Sequence, residues 1–327
     1  MPFTCPTIFP QCANSTPRTN ERYISPTGSD TADGLTPETA WATLQPHTQQ
    51  VPPDTEIIFL DGKYTFSESI YWSSPQSQAL PDGVTLRSET YRGATLCGVP
   101  NPATSDDGLA FGLLDVVRDL EIYGLNIEEW QGGGAGTILV EQDIQGLRII
   151  GNRFINNGSI TQHHIVYFSG GGTSLDTTSR EWAVECNDAI LSAGSGAFIS
   201  MRNGPYGTHT GTVKNNNVSG EGTWAMVVSD IRVAGTESNI EVCDNVFDGA
   251  FTEGGIQFAN YTTPTPLNGV DSTFVVQNNV INNQSTGPNA YAIWRWPDIG
   301  NGQQEHMPTL LNNQLSVSKS GAPTFGV

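Results

Sequence analysis

Twelve side chains suited to recognising sugars and moving protons lie in the middle and end of this 327-residue chain. Tyr167, Arg202, His164 and Asp230 are the candidates for catalysis. His163, Asn203, Arg232, Gln257, Asn260, Tyr261, Arg295 and Trp296 are the candidates for binding. Aromatic rings accept the apolar face of a pyranose, and a guanidinium forks onto a uronate carboxylate. Neutralising that carboxylate makes the neighbouring carbon acid easier to deprotonate, so a base and an acid can then carry a β-elimination. Arg202 or Arg232 would neutralise, and Tyr167 or His164 would abstract or donate the proton. Reprotonation on the other face would turn the same constellation into a uronate epimerase.

Hydrolysis is the runner-up. It needs two carboxyls separated by about 5–5.5 Å for retention or 6.5–9.5 Å for inversion, and Glu141, Asp143, Asp230 and Glu253 are the candidates. A third reading is non-catalytic, an adhesive face that only recognises glycan. Bland readings stand beside all of these. The His163-His164 pair can simply begin a strand, Arg232 and Asp230 can pair with each other, and Tyr167 can be a surface strand former. Lys214 is read as structural, because it shares a column with Glu185 one repeat earlier and a lateral ion pair there contributes about 0–1 kcal/mol.

What positions these groups is a repeat. EIYGLNI (121–127), RIIGNRF (148–154), AVECNDA (183–189), TVKNNNV (212–218), EVCDNVF (241–247), VVQNNVI (275–281) and TLLNNQL (309–315) share one pattern. It runs hydrophobic stretch, turn residue, hydrophobic. Aligned, the turn column reads Leu125, Asn152, Asn187, Asn216, Asn245, Asn279 and Asn313, with steps of 27, 35, 29, 29, 34 and 34 residues. A step of that size holds three short strands and three turns, and coils stack at about 4.8 Å. The pattern predicts an all-β parallel β-helix, a solenoid. Asn at the corner is expected to take the left-handed backbone and to bond its equivalents above and below.

The N-terminal third fits the same scheme. YISPTGSD and then DGLTPETAWATLQ read as a strand, a Gly/Asp turn and a short helix starting near Thr36-Pro37, where Pro suits the first helical turn. Such a helix would cap the open end of the solenoid. Residues 56–65, EIIFLDGKYT, supply the next strand, turn and strand. The domain reading is an N-terminal tail over 1–20, one β-helix over 21–317 and a C-terminal tail over 318–327.

With YISPTGSDTADGLTPETAWATLQ, IIFLDGKYT and the six-Asn column on the page, the chain resembles the pectate-lyase-like, right-handed parallel β-helix superfamily. The resemblance covers about residues 21–317. It implies the fold, and a substrate groove along the strands two turns after the Asn corner. Those strands are 136–142, 164–170, 197–203, 225–231, 255–261 and 292–298. Alternation places Val166/Phe168, Ile199/Met201, Met226/Val228 and Ile256/Phe258 inward. Tyr167, Ser200, Val227 and Gln257 then form one outward column, with Glu141, Ser169, Arg202, Ser229 and Ala259 in the next. The superfamily includes lyases, hydrolases, epimerases and adhesins. Its lyases generally use Lys or Arg as base, often with calcium on acidic residues. No compact Asp/Glu cluster of that kind stands out here, so the cofactor is unknown and calcium has no motif behind it.

Composition narrows the partners. With 33 acidic against 14 basic residues and a net charge of -19, nucleic acid and anionic membranes are repelled on average. A polyanionic glycan would need a local Arg cluster. No run of 18 apolar residues marks a membrane span, and no phosphate loop, CxxC or HExxH is present. Of five cysteines, Cys5 and Cys12 sit in a Pro-rich segment and can pair, while Cys97, Cys186 and Cys243 look isolated. That leans towards an oxidising, extracellular setting, with a polysaccharide as partner. A β-elimination on an acidic glycan ranks just above hydrolysis, and both above binding alone.

Overall fold

The computed structural model describes residues 17–66, 70–72, 81–98, 110–113, 116–130, 136–141, 144–158, 163–169, 178–202, 207–230, 239–260, 273–287, 290–295, 308–318 and 325–326. They form a right-handed parallel β-helix. Its first face stacks, in chain order, Asn20–Ile24, Thr55–Phe59, Val84–Ser88, Leu120–Tyr123, Ile144–Ile150, Thr178–Glu185, Gly207–Lys214, Asn239–Cys243, Thr273–Gln277 and Thr309–Leu311. From Thr55–Phe59 onward a second-face strand follows each of these around a corner, from Gly62–Phe66 to Gln314–Val317. Asp188–Arg202, Asn217–Asp230 and Val246–Asn260 run through the second face and continue onto a third. There they join Gly136–Val140, His164–Phe168 and Ile293–Arg295.

One side chain per strand explains why the stack holds. Ile57, Leu86, Ile122, Ile149, Val184, Val213, Val242 and Val276 lie in register on successive rungs, and none is more than 1% exposed. Each fully buried aliphatic side chain contributes about 1.5–3 kcal/mol as an upper bound. The apolar share of 37% is enough, because the interior is only a few side chains across.

The asparagine ladder forms as expected. Leu125 N donates to Asn152 Oδ1 (3.0 Å), and the backbone N–H groups of Asn152, Asn187, Asn216, Asn245 and Asn279 each donate to the next Asn Oδ1 at 2.9–3.0 Å. Each ladder amide also donates back to a carbonyl of the preceding coil, as Asn216 Nδ2 does to Val184 O (2.8 Å). One detail is corrected: the left-handed residue is the one before the ladder Asn. Gly124, Gly151, Cys186, Asn215, Asp244, Asn278 and Asn312 hold φ between 52° and 67°. The work is therefore divided, with one residue reversing the chain and the next filling the corner with hydrogen bonds.

The N-terminal cap consists of two 3-10 segments, Pro37–Thr39 and Gln45–Gln50. Thr36 caps the first, accepting from Thr39 N, with Pro in its first turn. Trp41, fully buried, bridges Ile24 in parallel and seals the first coil. At the far end Leu310 and Leu311 are 37% and 45% exposed, so among the described residues the C-terminal coil is the less covered one.

The cysteines depart from the sequence reading. Cys97 and Cys243 are free and buried, but Cys186 is disulfide-bonded rather than isolated. Cys5 and Cys12 lie outside the described residues. Lys214 does face Glu185 in register, yet Glu185 accepts the Thr212 hydroxyl at 2.8 Å. Among the described residues no ion pair joins Lys214 to Glu185. Phe325–Gly326 pairs with Ile293–Trp294.

Candidate functional site

The third face carries those candidate residues that are described, and its register follows from strand alternation. Leu139, Tyr167, Ser200, Val227, Gln257 and Trp294 are opposite one another on successive rungs. Arg202, Ser229 and Ala259 are opposite one another in the next column, and Asp230 is opposite Asn260. Val166, Phe168, Ile199, Met201, Met226, Val228, Ile256 and Phe258 fill the interior.

The outward column is largely covered. Leu139 is 6% exposed, Ser200 1%, Val227 8% and Gln257 7%, while Tyr167 is half-buried. Ala197, Trp224 and Val227 form a separate apolar cluster beside it. Tyr167 is therefore the member of that column with its side chain most open to solvent among those whose burial is described.

His164 is held beside it. The two ring centroids are 5.1 Å apart and tilted by 41°. His164 Nδ1 lies 3.0 Å from Ala197 N, so the ring nitrogen accepts from a backbone N–H. A nitrogen accepting that bond carries no proton, which leaves the proton of the neutral ring on Nε2. His164 is only 7% exposed. It thus presents an N–H, and in this arrangement it is a donor rather than a base. Two glycines make the pairing fit. A Cβ on Gly196 would come within 2.5 Å of His164 Nδ1, and one on Gly136 within 2.8 Å of Tyr167 Cβ. Glycine inside a strand marks such close approaches.

His163 points elsewhere. It is 1% exposed, and its Nε2 is 3.2 Å from the hydroxyl of Thr137, itself fully buried. Its backbone carbonyl accepts from Gly196 N at 2.7 Å, tying consecutive rungs at the place where His164 is fixed.

Arg180 is a cation the sequence reading missed. It is 4% exposed, and it donates to Ser169 O (3.1 Å) and Glu141 O (2.9 Å), at the ends of the His164–Phe168 and Gly136–Val140 strands. It pins two rungs next to Tyr167. Its place on the strand after a long insertion hid it, because only folding brings residue 180 back beside residues 141 and 169.

Asn203, Arg232, Tyr261, Trp296 and Asp143 lie outside the described residues. Arg202, Asp230, Asn260 and Arg295 are placed as strand backbone only. Of the carboxylates proposed for hydrolysis, Glu141 is half-buried at the strand end, and Glu253 is exposed near the bend between the second and third faces. Among the described residues no group of three or more His, Cys, Asp or Glu is arranged to hold a metal ion, and no helix is long and apolar enough to cross a membrane.

No protein-family model matches this chain, and no curated protein matches it by sequence. Solved structures do resemble it in fold. An Escherichia coli protein, YbhC, is 15% identical with a TM-score of 0.49, over 96% of this chain and 90% of that one. The pectin methylesterase from Aspergillus niger is 13% identical with a TM-score of 0.47, over 96% and 89%. Pectate lyase Pel9A is 12% identical with a TM-score of 0.46, over 94% and 80%.

Proposed function

We propose that this chain is a carbohydrate-active enzyme that cleaves an acidic polysaccharide by β-elimination on the third face of its β-helix. The observation that carries the reading is the fixed pair of His164 and Tyr167. A neutral imidazole held by Ala197 N–H stands 5.1 Å, ring to ring, from the half-buried phenol in the outward column. Proton transfer of this kind is the work of a positioned side chain.

In the proposed reaction Arg202, two residues along the strand from the Ser200 that faces Tyr167, neutralises the uronate carboxylate. Arg232 and Asn203 support it. The carbon next to the carboxylate then loses its proton to the Tyr167 oxygen as the phenol gives its own proton to the departing glycosidic oxygen. The C–O bond breaks, a C=C bond forms, and the protons balance. His164 donates from Nε2 and holds the phenol in line, and Asp230 orients the arginine side. Gln257, Asn260 and Arg295 extend the binding face along the axis, Tyr261 and Trp296 are proposed as further sugar contacts, and His163 fixes the rung from inside. The disulfide at Cys186 supports an oxidising, extracellular setting.

The test is a panel of uronate-containing and neutral polysaccharides, with and without calcium, read by ultraviolet absorbance beside reducing ends. Both signals rising on an acidic glycan, and both lost in Tyr167→Phe, is the expected result. Reducing ends without absorbance would replace elimination with hydrolysis and move attention to Glu141, Asp143, Asp230 and Glu253. Neither signal across the panel would favour binding alone.

A further inference from the structure

The corner between the first and second faces changes character near the N-terminal end. Later coils turn there in two residues, as Gly124-Leu125 do between Tyr123 and Asn126, and Gly151-Asn152 between Ile150 and Arg153. Between Val84–Ser88 and Ala94–Gly98 the turn takes five, residues 89–93. The longer turn is fastened at both ends. Thr90 N and Oγ1 donate to the two oxygens of Asp61 (3.1 and 2.6 Å), and Gly93 N donates to Thr90 O (2.8 Å). Arg92 N donates to Gly124 O (2.7 Å) and its Nε to Gly151 O (2.9 Å), while its guanidinium pairs with Asp188, three rungs on.

This turn lays Tyr91 along the ridge. A Cβ added to Gly124 would meet its ring at 3.2 Å, and one added to Gly151 at 3.1 Å. The other left-handed corner residues of that column are Cys186, Asn215, Asp244, Asn278 and Asn312. The two corners without a side chain are thus the two beneath one ring. The Arg92 guanidinium carbon lies 4.9 Å from the centre of the same ring, and its bonds to Gly151 O and Asn152 O hold it on the helix side. Tyr91 still stays 41% exposed, the one aromatic among the exposed large hydrophobic residues described. Tyr123, half-buried on the adjoining rung, stands 6.1 Å away, ring to ring, and tilted by 48°.

We propose that Tyr91 and Tyr123 form a second glycan-binding site, a shallow open V that takes a neutral pyranose of a polysaccharide. The apolar face of the sugar lies on the rings, and the phenol hydroxyls at the rim can both donate to and accept from sugar hydroxyls. The charges around the V select this occupant. Arg92 already holds the inner side of the Tyr91 ring, so a ligand cation would meet a like charge across it. Arg87, in register with Tyr123, and Arg92 are each committed to a carboxylate, those of Glu56 and Asp188. With Glu89 exposed in the same turn and a net charge of -19, an anionic sugar is disfavoured. In each coil this corner is opposite the third face, so the inference does not rest on the reaction proposed there.

Native electrophoresis of the full chain through gels containing mixed-linkage β-glucan, xylan, galactan or polygalacturonate tests the site. The expected result is retardation by at least one neutral polysaccharide, with binding at least tenfold weaker in Tyr91→Ala. Tyr91→Leu, which keeps an apolar cover on the two glycines but no flat ring, should lose binding equally while keeping the unfolding midpoint. Tyr91→Trp, with a larger platform, should bind at least as tightly as the unaltered protein. Tyr167→Phe should be retarded as the unaltered protein is, even where elimination is lost, which separates the two sites. No retardation by any neutral polysaccharide, retardation by polygalacturonate alone, or equal retardation of Tyr91→Leu and the unaltered protein would overturn the proposal.

Discussion

The ladder corner and the third face are built from the same coils but obey opposite rules. From Asn152 to Asn313 the corner repeats one residue, and each Asn from Asn187 to Asn279 is bonded to its equivalents on both sides at 2.9–3.2 Å. On the third face each rung differs: Leu139, Tyr167, Ser200, Val227 and Gln257 share a column and have no common chemistry. Repetition serves stability, because each buried corner amide bonds the backbone carbonyl of the coil before it and the Asn of the coil after it, a pattern that fits every rung at the strand spacing. Variation on the third face leaves Tyr167 as the half-buried member of a column that is otherwise covered, and that difference is what the proposed recognition rests on.

The sharpest test of this contrast is Asn216→Ala. It strands the N–H and amide donors of Asn187, both buried. At about 1–3 kcal/mol for each orphaned buried donor, we expect a loss of about 3–5 kcal/mol in denaturant unfolding. Asn313→Ala, at the more open end, should cost about 1–2 kcal/mol by the same reasoning, and equal losses would show that the ladder is not cooperative with burial.

On the third face the order reverses. Tyr167→Phe should leave the unfolding midpoint nearly unchanged while elimination falls by about 100-fold or more, the usual worth of a positioned proton donor. A large shift in midpoint would make Tyr167 a packing residue. His164→Ala should cost about 1–3 kcal/mol by orphaning Ala197 N. His164→Asn, which restores an acceptor near Nδ1, should recover most of that stability without recovering turnover.

Smaller effects test the corner's division of labour. Gly151→Ala places a Cβ 3.1 Å from the Tyr91 ring at φ 67° and should cost about 1–2 kcal/mol. Asn215→Gly at φ 55° should be neutral or slightly stabilising, within about 0.5 kcal/mol. The smallest effect lies at the first coil. Hydrogen bonding to Glu21, with burial adding to it, pushes the Tyr23 phenol up to about 12. The folded chain holds this proton longer than the unfolded one, so the contribution is complete below about pH 10 and lost as pH rises towards 12. Hydrogen exchange at residues 20–24 should quicken over that window, and Tyr23→Phe should abolish the dependence.

Much of the fold was legible in the residues. Ladder positions Asn152 to Asn313 were readable because a corner amide must recur once per coil. Inward positions such as Val166 and Phe168 were readable because strand alternation needs no knowledge of neighbours. The site was less so. His164 could be read as abstracting or donating a proton, and only Ala197 N, 33 residues away, makes it a donor. Arg180 carried no local signal, because its partners Ser169 and Glu141 meet it only after the chain has turned. Cys186 looked isolated because a disulfide is a fact of distance rather than of spacing.

By itself, then, the sequence determined the coil, its period, its ladder and its interior, since each depends on contacts between equivalent positions that recur down the chain. The tertiary structure alone decided which neighbour of the ladder Asn reverses the chain, which nitrogen of His164 bears the proton and how far the outward column is covered. Those depend on groups from non-equivalent positions, and no periodicity encodes which of them meet.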